Sequence, residues 1–95
     1  MKMLMLILTF TLAGTTGASA ACYADYKAKQ DGPLKLHYGV IQLPDRACNN
    51  RKQARRVIAR RISAGGWQLL NIVSFFGGDG LEQRKSSAAD FYLRY

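Results

Sequence analysis

The fold of this chain is decided by one stretch, residues 50–76, which reads NRKQARRVIARRISAGGWQLLNIVSFF. Apolar residues recur at helical spacing in its first part, at Ala54, Val57, Ile58 and Ile62. They fall on one face of a helix, as an amphipathic helix requires. The second part, from Trp67, is a nearly continuous apolar run rich in Ile, Val and Phe, which is typical of a buried central strand. The stretch therefore predicts a helix packed on a sheet.

Both ends of this helix carry recognisable signals. Asn50 is a good N-cap residue, and Gln53 stands at the third helical position as in a capping box. Asp45 is a rival cap further upstream. Gly65 and Gly66 provide the C-terminal stop. The helix is therefore expected to run from about residue 51 to the two glycines.

Working outward, residues 34–43, LKLHYGVIQL, alternate in polarity and predict a half-buried strand that Pro44 ends. One face would carry Leu34, Leu36, Tyr38 and Val40. His37 falls on the opposite, less apolar face, where we expect a surface or hydrogen-bonded histidine rather than a metal ligand.

The C-terminal residues 89–95, ADFYLRY, also alternate and predict a last strand, the hairpin partner of 67–76. Residues 21–33 are polar and mixed and predict an irregular N-terminal arm. Residues 34–95 would then form an α+β domain of β-α-β-β order, with a three-stranded, mainly antiparallel sheet and one helix on one face. The predicted core consists of Trp67, lying beneath the helix, with Val57, Ile58, Ile62, Leu69, Phe91 and Leu93.

Residues 1–20 have the features of a signal peptide: Lys2, a short apolar stretch, and the small residues Ala18-Ser19-Ala20 before the expected cleavage. The stretch is shorter than the roughly 20 apolar residues that span a bilayer. The mature chain would begin at Ala21 and be periplasmic or secreted, without a transmembrane segment. The minority alternative is a lipoprotein anchored at Cys22.

The chain has two cysteines, Cys22 and Cys48. In an oxidising compartment an even pair most simply forms a disulfide, which would help a domain with so small a core. Two free thiols are the alternative that the sequence leaves open.

Positive charge is concentrated in one segment. Without Lys2, 13 basic and 6 acidic residues remain, a net charge of +7, and residues 46–78 hold seven Lys and Arg with no Asp or Glu. On the predicted helix, Lys52, Arg56 and Arg60 lie opposite the apolar stripe, while Arg51, Arg55 and Arg61 flank it. The candidate residues for binding an anionic partner are Lys52, Arg55, Arg56, Arg60 and Arg61.

The sequence favours a small exported binding module over an enzyme. It contains one His, no metal-ligand cluster and no catalytic motif, so no catalytic residue, metal or cofactor is predicted. The expected partners are anionic lipid headgroups, lipopolysaccharide or an acidic protein. Nucleic acid is disfavoured because the basic segment lacks interleaved aromatic residues for stacking. A basic face that is only solvated is the remaining alternative.

The segment ISAGGWQL, residues 62–69, and the later FYLRY, residues 91–95, resemble a bacterial family, the domain of unknown function 4177. The resemblance covers roughly residues 34–95 and implies a short β-α-β-β protein with no assigned activity. The leader, the cysteine pair and the arginine-loaded helix depart from that family's pattern.

Overall fold

The computed structural model describes residues 21–95, so the predicted signal peptide lies outside the described residues. In chain order the elements are β1 (Cys22–Gln30), β2 (Lys35–Leu43), α1 (Arg51–Ser63), β3 (Gln68–Gly77) and α2 (Glu82–Ala88). The strands form one antiparallel sheet in the order β2-β1-β3. The predicted class, a small α+β fold built on a three-stranded antiparallel sheet, is confirmed.

The central strand is β1, in the segment that was predicted to be an irregular arm, so that prediction is wrong. Ala24, Tyr26 and Ala28 of β1 are fully buried and alternate with Asp25 and Lys27. The period of two was present in the sequence, but alanine contributes little apolar signal. Alanine at these positions lets the helix approach the sheet closely.

The β-α-β-β order is also wrong, because residues 89–95 do not form a strand. A helix, α2, precedes them, and residues Ala89–Phe91 form a single 3-10 turn. The tail then meets β2 in one parallel bridge between Tyr92 and Val40, where the Leu93 N–H donates to the Val40 carbonyl at 2.9 Å. The antiparallel partner of β3 is therefore β1, and β3 is an edge strand with bulges at Val73 and Leu70.

One face of the sheet, called the near face here, packs on α1. Its centre is Tyr26, which is fully buried, and Val57, Ile58 and Ile62 of α1 are buried against it as predicted. The Asn50 side chain accepts a hydrogen bond from the Gln53 N–H at 3.1 Å, which confirms the predicted cap. Gly66 follows the helix with a φ of 82°, a left-handed conformation that favours glycine at a helix end.

Strand β2 was predicted with its faces reversed. His37, Gly39, Ile41 and Leu43 lie on the near face and are buried. Leu36 points the other way and is 66% exposed. The near face needs glycine at position 39, because an added Cβ would lie 2.5 Å from the Tyr26 ring. The reversal puts a histidine in the core and a leucine in solvent, against simple polarity.

Three other predicted core residues are only half-buried: Trp67, Leu69 and Phe91. Trp67 packs against the core from its rim, with its ring beside His37 and Phe91, and is not largely buried. Leu93 is 41% exposed, so the prediction that it belongs to the core is wrong. The prediction failed because it placed Leu93 on a C-terminal strand, which residues 89–95 do not form.

The predicted disulfide between Cys22 and Cys48 is present, with 6.0 Å between the two Cα atoms. It joins the start of the central strand to the segment just before α1. The covalent bond therefore fixes the helix N-terminus over one end of the sheet.

Candidate functional site

The outer surface of α1 carries four exposed cations, Lys52, Arg55, Arg56 and Arg60, which together are called the basic face. They are exposed because Ala54, Val57, Ile58 and Ile62 occupy the buried side of the same helix. At about 1.5 Å of rise per residue, positions 52, 56 and 60 form a ridge about 12 Å long. The structure therefore brings four of the five predicted binding residues together.

No residue of the basic face has an ion pair within residues 21–95. The two ion pairs there join Lys29 to Asp31 and Arg84 to Asp25, so neither aspartate is available to the helix. The first turn of α1 has no acidic residue. Lys52, in that first turn, lies at the end where the helix dipole is also positive, which raises the local potential there, whereas Arg60 lies in the last turn. The basic face is an uncompensated cationic surface.

Arg61, the fifth predicted binding residue, has a different role. Its Nη1 donates to the Gln42 carbonyl at 2.8 Å, on the outer edge of β2. At the other end of the helix, Arg51 Nη1 donates to the Ile72 carbonyl of β3 at 3.2 Å. Both side chains use hydrogen-bonding capacity within the fold, at the two edge strands. Arg61 is therefore assigned to the fold rather than to the basic face.

The opposite face of the sheet, called the far face, carries a buried polar network centred on Asp25, which is 4% exposed. Ser74 Oγ donates to Asp25 Oδ1 at 2.6 Å, and Tyr38 Oη donates to Oδ2 at 2.7 Å. Arg84 of α2 donates to the same Oδ2 at 3.1 Å. The Arg84 guanidinium lies 3.9 Å from the centre of the Phe76 ring. The network thus attaches α2 to the sheet.

The pKa values in this network keep the charge on Asp25. Burial alone would raise the pKa of Asp25, but the hydrogen bonds from Ser74, Tyr38 and Arg84 outweigh it and hold the pKa below its ordinary value. Burial, with the neighbouring carboxylate, raises the pKa of Tyr38 to about 12. Tyr38 therefore stays a hydrogen-bond donor and Asp25 an acceptor. A carboxylate satisfied in this way is suited to holding structure and poorly suited to accepting a proton.

His37 occupies an aromatic cluster at the edge of the near face. Its ring stacks on Phe91 at 3.7 Å between centroids and meets the edge of Trp67 at 4.2 Å. Nε2 lies 3.0 Å from the Tyr26 hydroxyl, whereas the buried Nδ1 has no hydrogen-bond partner in the described part of the chain. Burial, together with the nearby charge of Arg94, lowers the pKa of His37 to about 4. The imidazole is therefore neutral at pH 7.

The described residues contain no group of three or more His, Cys, Asp and Glu side chains that could hold a metal ion. Among residues 21–95 no helix has both the length and the apolar character needed to cross a membrane.

Comparison with known proteins finds no match: no protein-family model fits the chain, and no curated protein or solved structure is similar to it. The resemblance to the domain of unknown function 4177 stays a prediction.

Sequence reasoning missed the Asp25 network entirely. Asp25 and Arg84 are 59 positions apart in the sequence. A local pattern cannot pair two such residues, because their contact depends on which face α2 covers. One signal was available: Asp25 stands between Ala24 and Tyr26 in an alternating segment, which places a carboxylate on a sheet face.

Proposed function

We propose that this protein is a small exported, non-enzymatic binding module whose basic face binds phosphate-rich anionic surfaces of the cell envelope, namely lipid headgroups or the phosphates of lipopolysaccharide. The observation that carries the proposal is the basic face itself. Four exposed cations lie on one helix without an ion pair inside the described fold. Like charges four residues apart repel by a few tenths of a kcal/mol each. An anionic partner would relieve that repulsion.

The shape of the basic face favours an extended anionic surface over a small ligand. The cations project from a convex helix, and its larger apolar residues, Val57, Ile58 and Ile62, are all used in the core. Binding would therefore be electrostatic, without insertion of the helix into a bilayer, and it should weaken as salt rises. Export is supported by the leader-like residues 1–20 and by the disulfide, a bond that persists in oxidising compartments.

Non-enzymatic function is supported by the state of the polar side chains. Ser74 and Tyr38 each donate a hydrogen bond to Asp25, beneath α2. Each is already satisfied by a neighbour and is only partly accessible or buried. A nucleophile or general base needs a free lone pair facing a substrate.

The test compares two triple variants of equal charge. K52Q/R56Q/R60Q removes the ridge, and K35Q/K85Q/R94Q removes three exposed cations elsewhere. Binding is measured at low and physiological salt to vesicles of phosphatidylglycerol and phosphatidylcholine, to purified lipopolysaccharide and to duplex DNA. We expect the ridge variant to bind vesicles or lipopolysaccharide at least tenfold more weakly, with the control within about twofold of wild type.

Three outcomes would contradict the proposal. If the wild-type protein binds none of these surfaces at low salt, the basic face is only solvated. Equal weakening of both triple variants would indicate net charge rather than the ridge. Tighter binding to DNA than to either envelope surface would favour the nucleic-acid alternative.

A further inference from the structure

The far face is only half covered. The short helix α2 packs on the half that contains Asp25 and Val40, which are 4% and 1% exposed. The other half is open: Lys27 is exposed, and Leu36 and Leu70 are 66% and 44% exposed. Leu36 on β2 and Leu70 on β3 lie on either side of the central strand and border one common groove, which makes this half of the face a candidate binding surface.

These residues form a groove of about 310 Å³ lined by Lys27, Ala28, Leu36, His37, Tyr38 and Leu70. Its lining is almost entirely apolar. Lys27 contributes the one charged group of the lining, and that ammonium group has no ion pair within residues 21–95. The Tyr38 hydroxyl is already bonded to Asp25. The groove therefore offers an apolar channel and a single free cation.

The floor of the groove excludes one class of ligand. Ala28 belongs to the central strand, which pairs with β2 on one side and β3 on the other, so its backbone groups are used within the sheet. A peptide lying on this floor would find no backbone partner there, and those of its N–H and C=O groups that became buried on it would remain unsatisfied at a cost. An aliphatic chain has no such groups. The volume accommodates about ten methylene groups, if each is taken as about the size of a water molecule, about 30 Å³.

We propose that this groove binds a medium-chain fatty acid, with the aliphatic chain against Leu36 and Leu70 and the carboxylate against the Lys27 ammonium group. The site is separate from the basic face, because α1 packs on the near face and the groove opens on the far face. The inference therefore stands whether or not the basic face binds an envelope surface.

The test uses two soluble ten-carbon ligands of opposite charge, decanoate and decyltrimethylammonium, each kept below its critical micelle concentration. Leucine methyl and backbone amide NMR shifts report the position of binding. We expect saturable shifts at Leu36 and Leu70, and decanoate binding at least tenfold tighter than the cation. K27Q should remove most of that preference, whereas K85Q, which changes net charge equally, should keep it.

A second pair of variants tests the apolar part. Leu70 and Val73 are both 44% exposed on β3, but only Leu70 lines the groove. L70S should weaken decanoate binding several-fold, and V73S should leave it unchanged. K52Q/R56Q/R60Q should also bind decanoate like wild type, which separates this site from the basic face.

The proposal would be overturned by several results. One is the absence of saturable shifts in the groove up to the micelle limit. Another is equal binding of the two ligands, or an L70S variant that binds decanoate normally. Shifts at Leu36 and Leu70 with an acidic leucine-containing peptide, and none with decanoate, would make the groove a protein-docking site instead.

Discussion

The two faces of the sheet are built from different chemistry. The near face and α1 enclose an apolar core in which Tyr26 of the sheet and Ile58 and Ile62 of the helix are fully buried. The far face is held by one carboxylate with three donors, and half of it remains uncovered. Apolar burial is non-directional and tolerates many neighbours, whereas a buried carboxylate needs each donor in place. The near face should therefore dominate stability, and the far face should fix where α2 lies.

The largest effect is expected from opening the near face. I58A removes a fully buried side chain from the centre of α1 and should lower the free energy of unfolding by about 4 kcal/mol. A domain of this size has a total stability of the same order. Urea denaturation followed by circular dichroism measures the change. L36A on the far face is the control, because Leu36 is 66% exposed and should cost well under 1 kcal/mol. Equal losses in the two variants would contradict the division between faces.

The far face should respond almost as strongly to loss of its carboxylate. D25A leaves Arg84, Ser74 and Tyr38 without their shared acceptor and should cost about 3 kcal/mol. The double variant D25A/R84M should recover part of that loss, because it also removes the stranded charge. A D25A protein as stable as wild type would show that α2 is held by other contacts.

The parts of the fold that could be predicted from the sequence are those set by neighbouring residues. The helix α1 was predicted with its cap and its end, because Asn50, Gln53 and Gly66 act on neighbouring residues. The disulfide followed from cysteine count. Residues 89–95 alternate like a strand, yet their aromatic rings are used in the cluster around His37. Stacking between segments far apart in sequence decided their conformation, and local periodicity does not contain that information.

The candidate binding residues were also only partly predictable from the sequence. Exposure of Lys52, Arg55, Arg56 and Arg60 could be predicted, because the apolar stripe of the same helix fixes which side faces solvent. The role of Arg61 could not, since its partner is a backbone carbonyl of β2. The far-face groove was hidden for a related reason: it exists because α2 is too short to cover the sheet.

Acid should weaken the near face before the far face. The pKa of His37 is about 4 in the fold against about 6.5 when unfolded, so the unfolded chain binds more protons between these values. Stability should therefore fall as pH drops from 6.5 to 4, by up to about 3 kcal/mol at about 1.4 kcal/mol per pKa unit. The pKa of Asp25 is lowered, so its contribution is lost only as the pH falls below the ordinary value of 3.8 and through the folded pKa.

Denaturation midpoints at pH 7, 5.5 and 4.5 measure the predicted loss of stability with falling pH. In H37F the slope between pH 6.5 and 4 should disappear, whatever the stability of that variant at pH 7. The groups facing His37 are Tyr26, Trp67, Phe91 and Arg94, and none of them is a carboxylate that would stabilise the protonated ring. A wild-type midpoint that is constant from pH 6.5 to 4 would mean that the ring is hydrated or becomes paired on protonation.

The smallest expected effect distinguishes the arginines of α1 from one another. R61Q removes the hydrogen bond to the Gln42 carbonyl at the edge of β2, and a bond of this kind contributes about 1 kcal/mol. R56Q changes the same charge on the same helix without removing a fold contact, so its stability should match or slightly exceed that of wild type. Binding to anionic vesicles should show the opposite ranking, with R56Q the weaker binder. If both variants bind vesicles equally weakly, Arg61 contributes to vesicle binding as the basic face does. Its hydrogen bond to β2 would then not define its role.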